Sequence, residues 1–316
     1  MHPQPDKIVV TGGAGFIGSH LVDRLLGSSE AHVLVFDNLH RGRLSNLVQW
    51  RDNARLRFVM GDLRESDVVR EALKDARTVY HLGAQSTVMG AVRDPDFSFG
   101  TNVVGTFNVL RASVELGIKR VVFASSREVY GEPIELPVDE DAPLMAINSY
   151  GASKIAAEVF CRSFRREFGL DTAILRLANV YGPRDTGRVI PLWIDDAARG
   201  KDLEVFGGKQ VIDFVWVDAV VDALIAAATV DGPLRAINVG SGTGTRIVDL
   251  ARRISRLSLG TPRVRLLPAR AIEVTRFISS VERMRSVLGI EPPLDPLMNL
   301  AAMIEPNRNL LPTLVV

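Results

Sequence analysis

Tyr150 and Lys154 stand four residues apart in "NSYGASK", a spacing that puts both side chains on one face of a helix. An ammonium beside a phenol stabilises phenolate, so a group that ordinarily titrates near ~10 becomes a usable base at neutral pH. The pair is therefore expected to exchange a proton with a substrate hydroxyl, Tyr150 carrying the proton and Lys154 lowering the phenol's pKa. Ser126 in "FASSREVYG" closes an apolar run and can hydrogen-bond the reacting oxygen. Side chains alternate along a strand, so Ser125 points the other way.

A Tyr-x-x-x-Lys pair alone carries little, but an earlier segment gives it a use. In "TGGAGFIGSH", Gly12, Gly15 and Gly18 follow the apolar run "KIVV" and open a helical pattern. Backbone N–H groups and the positive end of a helix dipole then converge on one spot, suited to a pyrophosphate, and glycine keeps the approach clear. Asp37 lies 22 residues beyond Gly15, at the end of the second apolar run. There a carboxylate accepts both hydroxyls of an adenosine ribose and repels a 2′-phosphate, which favours NAD over NADP. Arg41 and Arg43 nearby are the basic residues a 2′-phosphate would use. Asp62, in "GDL", either receives the adenine amino group or caps a strand end. With a dinucleotide in place, Lys154 would also hold the nicotinamide ribose.

Positioning these residues requires a particular frame. The runs "KIVVT" (7–11), "HVLVFD" (32–37), "RFVMGD" (57–62), "TVYHL" (78–82), "RVVFAS" (120–125) and "TAILRLANV" (172–180) read as parallel strands buried on both faces. Helical spacing between them, such as Ile17, Leu21 and Leu25, predicts an α/β fold with a Rossmann-type doubly wound parallel sheet. Residues 1–182 form the expected NAD-binding domain. Prolines then interrupt the pattern, and residues 183–316, with short strands such as "DLEVF" and "AINVG", read as a smaller α/β substrate lobe, from which late segments can return to the first. "PVDEDAP" (137–143) reads as a loop with solvated acids.

Composition narrows the function classes. The 316 residues are 47% hydrophobic, and 38 basic residues nearly cancel 37 acidic ones, so no global field favours nucleic acid or an anionic membrane. The start "MHPQPDK" lacks a signal pattern and no apolar stretch reaches membrane length, which points to a cytoplasmic protein. The single Cys161 excludes an internal disulfide and a cysteine metal cluster, no metal site is expected, and Cys161 itself reads as an apolar helix residue.

The segments "TGGAGFIGSH", "DNL", "GDL", "HLGAQ", "SSREVYG", "YGASK", "NVYGPR" and "INVGSG", in this order over roughly residues 7–290, resemble the extended short-chain dehydrogenases/reductases. These include the NAD-dependent nucleotide-sugar epimerases and dehydratases, and the likeness is greatest to UDP-sugar 4-epimerases. The resemblance implies Ser126, Tyr150 and Lys154 as the catalytic set, with Glu128 beside them. It implies NAD contacts at Gly12, Gly15, Phe16, Ile17, Gly18, Asp37, Asn38, Asp62, Leu63, Leu82, Ala84, Asn102, Tyr150 and Lys154. It also implies UDP-sugar contacts at Ser86, Arg127, Asn179, Arg188 and Arg270, and a homodimer through helices near 103–116 and 150–167. Val103, Phe107, Leu110, Ala156, Val159 and Phe160 are the apolar positions there. Two departures stand out: Ile212 replaces an arginine that relatives carry before "DF", removing a phosphate contact, and Gly83 replaces the first alanine of "HLAA", opening room by the cofactor.

Dehydratases of this family carry Asp-Glu after the catalytic hydroxyl and decarboxylases carry Ser-Glu; this chain has Arg127 and Glu128. An arginine stays protonated and cannot serve as the dehydratase acid, which disfavours a 4,6-dehydratase. Glu128 serves decarboxylation or a structural hydrogen bond. Arg127 and Arg188 could each pair bidentately with a C6 carboxylate, or bind the diphosphate. The resulting expectation is UDP-glucuronate 4-epimerisation ahead of UDP-glucose, with UDP-glucuronate decarboxylation, or a nucleotide-sugar 4,6-dehydratase, as the alternative.

Overall fold

The computed structural model describes residues 6–269 and 275–308. The chain first alternates strand and helix: β1 (Lys7–Thr11), α1 (Phe16–Ser28), β2 (His32–Asp37), β3 (Leu56–Met60), α2 (Ser66–Leu73), β4 (Ala76–His81), α3 (Val88–Arg93), α4 (Pro95–Phe99), α5 (Gly105–Glu115), β5 (Arg120–Ser126) and α6 (Ser149–Phe168). Then follow β6 (Asp171–Leu177), β7 (Asn179–Tyr181), α7 (Val189–Ala198), β8 (Leu203–Phe206), β9 (Val211–Trp216), α8 (Val217–Thr229) and β10 (Ile237–Val239). The last elements are β11 (Gly244–Arg246), α9 (Ile247–Leu257), β12 (Val264–Leu267), β13 (Arg276–Phe277), α10 (Glu282–Leu288) and α11 (Leu300–Arg308).

Seven parallel strands form one Rossmann-type sheet in the order β10-β6-β5-β4-β1-β2-β3. Both its faces are covered, which is why the strands read as unbroken apolar runs. Val10, Val35 and Val122 enter the core on one face, while Val9, Leu34 and Val121 enter the core on the other. Strand order reverses between β1 and β4, so the crevice for a ligand opens at the carboxyl ends of these two strands.

The run 172–180 is not one strand. β6 ends at Leu177, the Ala178 N–H donates to the Val239 carbonyl at 2.9 Å, and β7 leaves to pair with β9 in a second sheet. "AINVG" supplies β10, which lies beside β6 in the large sheet and not in the second lobe. With α8 packed on α1, the first lobe is discontinuous in sequence. The second lobe holds the sheet β11-β9-β13, joined by β7, and the pair β12-β8, over a core built around Trp193, Leu203, Phe214 and Leu250.

Glu140 in "PVDEDAP" is buried, contrary to the solvated-loop expectation. Its Oε1 accepts the Asn238 N–H at 2.9 Å and Arg283 lies 3.7 Å from Oε2, because the loop is drawn onto the end of β10. Cys161 is fully buried among apolar residues, and burial pushes its thiol up to about 12. Leu110 is buried in the first lobe's own core, and Val103 is buried too, so neither is exposed to a second copy. Among the described residues, no helix is long and apolar enough to cross a membrane.

Candidate active site

The cleft begins at the turn after β1. Gly12 adopts φ +71°, and a Cβ there would meet the Gly83 amide nitrogen at 2.7 Å; a Cβ on Gly18 would lie 2.2 Å from the Gly12 carbonyl oxygen. Glycine at these positions lets α1 close tightly on the turn. At Gly15 a Cβ would meet only the Gly12 oxygen, at 3.1 Å, so its other side faces the cleft. No side chain caps α1, leaving the first-turn N–H groups, Phe16 and Ile17 among them, directed at this space. Such a cradle fits a pyrophosphate.

Asp37 lines the same cleft and is buried. Its Oδ2 accepts the Ala14 N–H at 3.1 Å and Oδ1 the Leu39 N–H at 2.8 Å. Burial raises its carboxyl, while these two bonds oppose the rise. The remaining lone pairs can accept ribose hydroxyls. Asn38, Leu63, Leu82, Ala84 and Ser86 also line the cleft.

Three positions depart from expectation. The Asp62 carboxylate is gripped by Arg64, Nε at 2.9 Å and Nη2 at 2.8 Å, and by Asn38 at 3.1 Å, which holds it down to about 2; it stands as a strand-end anchor outside the cleft lining. Asn102 is also turned away. Sitting in a π-turn at Gly100–Val104, it gives both amide hydrogens to the Gln85 carbonyl (3.0 Å) and Ser153 Oγ (2.9 Å), locking α6 to the loop after β4. At Gly83 an added methyl would meet Leu63 Cδ1 at 2.8 Å and Thr11 Oγ1 at 3.1 Å, so Leu63 and Thr11 use the space that was expected beside the cofactor.

The reacting groups converge where β5 meets α6. Asn148 caps α6 by accepting the Gly151 N–H at 2.8 Å. Gly151 is needed for contact, since a Cβ would lie 2.4 Å from the Glu128 carbonyl oxygen. This approach brings Tyr150 near Ser126, whose hydroxyl favours the ionised phenol. Ser125 instead donates to Glu158 at 2.6 Å, away from the phenol.

Lys154 is buried and donates to the Ala124 carbonyl at 2.9 Å, its Nζ 6.0 Å from the Tyr150 ring centroid. The expected lowering of Tyr150 by Lys154 does not hold here: burial raises the phenol, opposed by Ser126, Arg188 and Arg127. Burial also brings Lys154 down to about 8. His81 beneath it bridges Thr11 (2.7 Å) and Thr106 (3.0 Å), and burial, with Lys154 adding to it, holds the imidazole down at about 3.

Glu128 is buried, with Oε1 2.8 Å from Arg127 Nη2 and Oε2 accepting from Asn148 Nδ2 at 2.8 Å. Arg127 Nε donates to Asn179 Oδ1 at 2.6 Å, and its guanidinium rests 5.5 Å from the Phe277 ring centroid. Its Nε and Nη2 are thus engaged within the protein, while its buried Nη1 has no partner there. Arg188 bonds Asp185 through Nη1 at 2.8 Å. Ile212 lines the second-lobe wall as a buried apolar residue, and Arg270 lies outside the described residues.

Sequence reasoning passed over Asn148 and Asp185 as parts of this site and considered Arg41 only for a 2′-phosphate. Arg41 donates to Ser86 Oγ at 3.2 Å and to the Thr186 carbonyl at 3.0 Å, a use other than the 2′-phosphate considered for it. For Asn148, the cap position before "SYGASK" was a usable signal. For Asp185, the signal was its three-residue spacing from Arg188.

The cleft measures about 860 Å³, near the upper end for a small-molecule site, and runs from the glycine turn past Tyr150 into the second lobe. A dinucleotide cradle that ends at a buried Ser–Tyr–Lys set is an arrangement suited to a nicotinamide-dependent enzyme. The profile of the NAD-dependent epimerase/dehydratase family matches residues 8–240. The chain is 34% identical over 311 residues to the UDP-glucose 4-epimerase of Mycolicibacterium smegmatis, covering 96% of this chain and 99% of the relative. It is 32% identical over 314 residues to UDP-glucuronic acid decarboxylase 1 of Arabidopsis thaliana, covering 96% and 70%. A crystal structure of UDP-glucuronic acid 4-epimerase from Bacillus cereus, in complex with UDP-glucuronic acid and NAD, aligns with a TM-score of 0.90 at 27% identity, covering 96% of this chain and 99% of that one. The chain therefore belongs to the NAD-dependent epimerase/dehydratase family, within the extended short-chain dehydrogenases/reductases, and its cofactor is NAD.

Proposed function

We propose that this enzyme is a UDP-sugar 4-epimerase that inverts C4 through a 4-keto sugar, with UDP-glucuronate as its preferred substrate. The observation that carries epimerisation is the state of Glu128. Both its oxygens are bonded, and Arg127 occupies the place of a dehydratase acid. Eliminating water across a sugar ring needs a second proton carrier. Among the described residues beside the reacting position, Glu128 is paired in this way, which leaves Tyr150 to carry the proton.

NAD, when bound, would supply the hydride acceptor and donor for C4. Tyr150 Oη takes the proton of the C4 hydroxyl and gives it back, while Ser126 Oγ holds the same oxygen. Ser126, Arg188 and Arg127 favour phenolate against the effect of burial. Lys154 and Asp37 hold the two riboses of the cofactor, and Gly12, Gly15 and Gly18 admit its pyrophosphate.

Support for a uronic acid comes from Arg188. It lies within electrostatic reach of Tyr150, and Asp185 is its only carboxylate partner among the described residues. Its other nitrogens can pair a C6 carboxylate and shield it while the 4-keto sugar, a β-keto acid, turns over. The decarboxylase reading draws on the Arabidopsis relative and on Glu128 being present.

UDP-glucose, UDP-N-acetylglucosamine and UDP-glucuronate, incubated separately and followed by NMR, test the proposal. The C4 epimer of UDP-glucuronate without loss of mass is expected. UDP-xylose as main product would replace the reading with decarboxylation, and turnover of the neutral sugars alone would remove the role given to Arg188.

A homodimer is part of the proposal. Val104 on the turn before α5, with Val159 and Phe168 on α6, is 37%, 50% and 55% exposed, beside the partly buried Phe107, Ala156 and Phe160. A symmetric pairing of these helices would cover them. Light scattering at micromolar concentration should give twice the chain mass; a monomer would count against it.

A further inference from the structure

Arg41 leaves the loop after β2, four residues beyond Asp37, and crosses the cleft. One end of its guanidinium donates to Ser86 Oγ behind β4, and the other to the Thr186 carbonyl in the loop leading to α7 of the second lobe. Neither partner is charged. Arg188 stands near it and is already paired with Asp185, so these three side chains carry one net positive charge in a half-buried space. Burial, and then Arg188, hold Arg41 below its usual range. Two guanidinium groups in such a space repel each other until an anion shares them. The second oxygen of Asp185 is buried without a partner, so no further protein donor reaches it.

The place of this bridge narrows the choice of anion. Ser86 lies three residues beyond Gly83, whose amide nitrogen would be 2.7 Å from a Cβ on Gly12. The Arg188 guanidinium sits 5.7 Å from the ring centroid of Phe16, the first residue of α1. The bridge thus adjoins the pyrophosphate cradle and ties the first lobe to the second. An arginine fork matches diphosphate oxygens, which makes diphosphate the chemistry that fits.

We propose that Arg41 is a latch over the dinucleotide, paired with its diphosphate at the start of α1 and bridging the two lobes so that the cofactor leaves only when the Ser86 and Thr186 bonds break. The proposal rests on NAD as cofactor and is independent of which sugar is turned over. Release of radiolabelled NAD from the intact enzyme into excess unlabelled NAD tests it, with wild type, Arg41→Ala and Arg41→Lys compared. Circular dichroism checks folding, and UDP affinity is measured in parallel by calorimetry. Arg41→Ala should release NAD at least tenfold faster, and Arg41→Lys about threefold faster, because a lysine cannot span both acceptors. UDP affinity should stay within twofold. Unchanged NAD release in a folded variant overturns the latch. Weakened UDP binding with unchanged NAD release also overturns it, and gives Arg41 to the diphosphate of the sugar nucleotide. If Arg41→Ala does not fold, Arg41→Lys decides, with wild-type release again overturning the proposal.

Discussion

Replacing Arg127 by methionine tests whether Glu128 is held as a paired carboxylate. The two side chains are 11% and 9% exposed and 2.8 Å apart. Without the arginine, Glu128 keeps only the Asn148 bond at 2.8 Å, and breaking a buried pair from one side costs about 3–5 kcal/mol. Unfolding entropy of roughly 2.1 cal/mol/K per residue gives about 0.66 kcal/mol/K for 316 residues, so a loss of about 4 kcal/mol lowers Tm by about 6 °C. Adding Glu128→Gln removes the unpaired charge and should recover more than half of that loss, a coupling that scanning calorimetry of the two single variants and the double variant reads directly. A drop below 1 °C in Arg127→Met, or a double variant no more stable than Arg127→Met, would mean that Glu128 does not depend on Arg127. The carboxyl would then be free for acid–base work, and the argument against dehydration and decarboxylation would fail.

Tyr150→Phe should lower kcat by about 10²–10⁴ while UDP-sugar affinity stays within a fewfold, checked by steady-state kinetics and calorimetry; wild-type turnover would refute the proton assignment. Asp37→Ala should leave purified enzyme depleted of NAD, measured by chromatography of acid-released nucleotide, and a native preference for NADP in a binding titration would overturn the ribose assignment. Lys154 carries a pKa of about 8 in the fold against its ordinary 10.5, so between these values the unfolded chain binds more protons and this group makes stability rise with pH. Urea unfolding at pH 8 and pH 10 should show that rise in wild type relative to Lys154→Met, and an equal response in both proteins would contradict it.

The main sheet was readable because burial on both faces leaves β-branched runs that hold no other pattern. The glycine turn was equally plain, since Gly12 and Gly18 meet backbone that no side chain could share. "LRLANV" hid the switch of sheets at Ala178, because an apolar run continues unchanged across it. Glu140 was misread because a charged run resembles a solvated loop, while its partners Asn238 and Arg283 lie about a hundred residues or more away. Asn102, Asp62 and Arg41 show the same limit. Residue type and spacing place each of them near the cleft, but which way its side chain turns depends on Gln85, Arg64 and Thr186, partners that no local pattern selects.

The central claim is that C4 is inverted with Tyr150 as the one proton carrier and Glu128 idle. It is tested most directly by incubating the enzyme with UDP-glucuronate in ²H₂O and examining the product by NMR and mass spectrometry. Epimerisation returns the original hydrogen to C4, so the account predicts the C4 epimer with its mass unchanged and no deuterium bound to carbon. Loss of carbon dioxide with one solvent deuteron at C5 would contradict it.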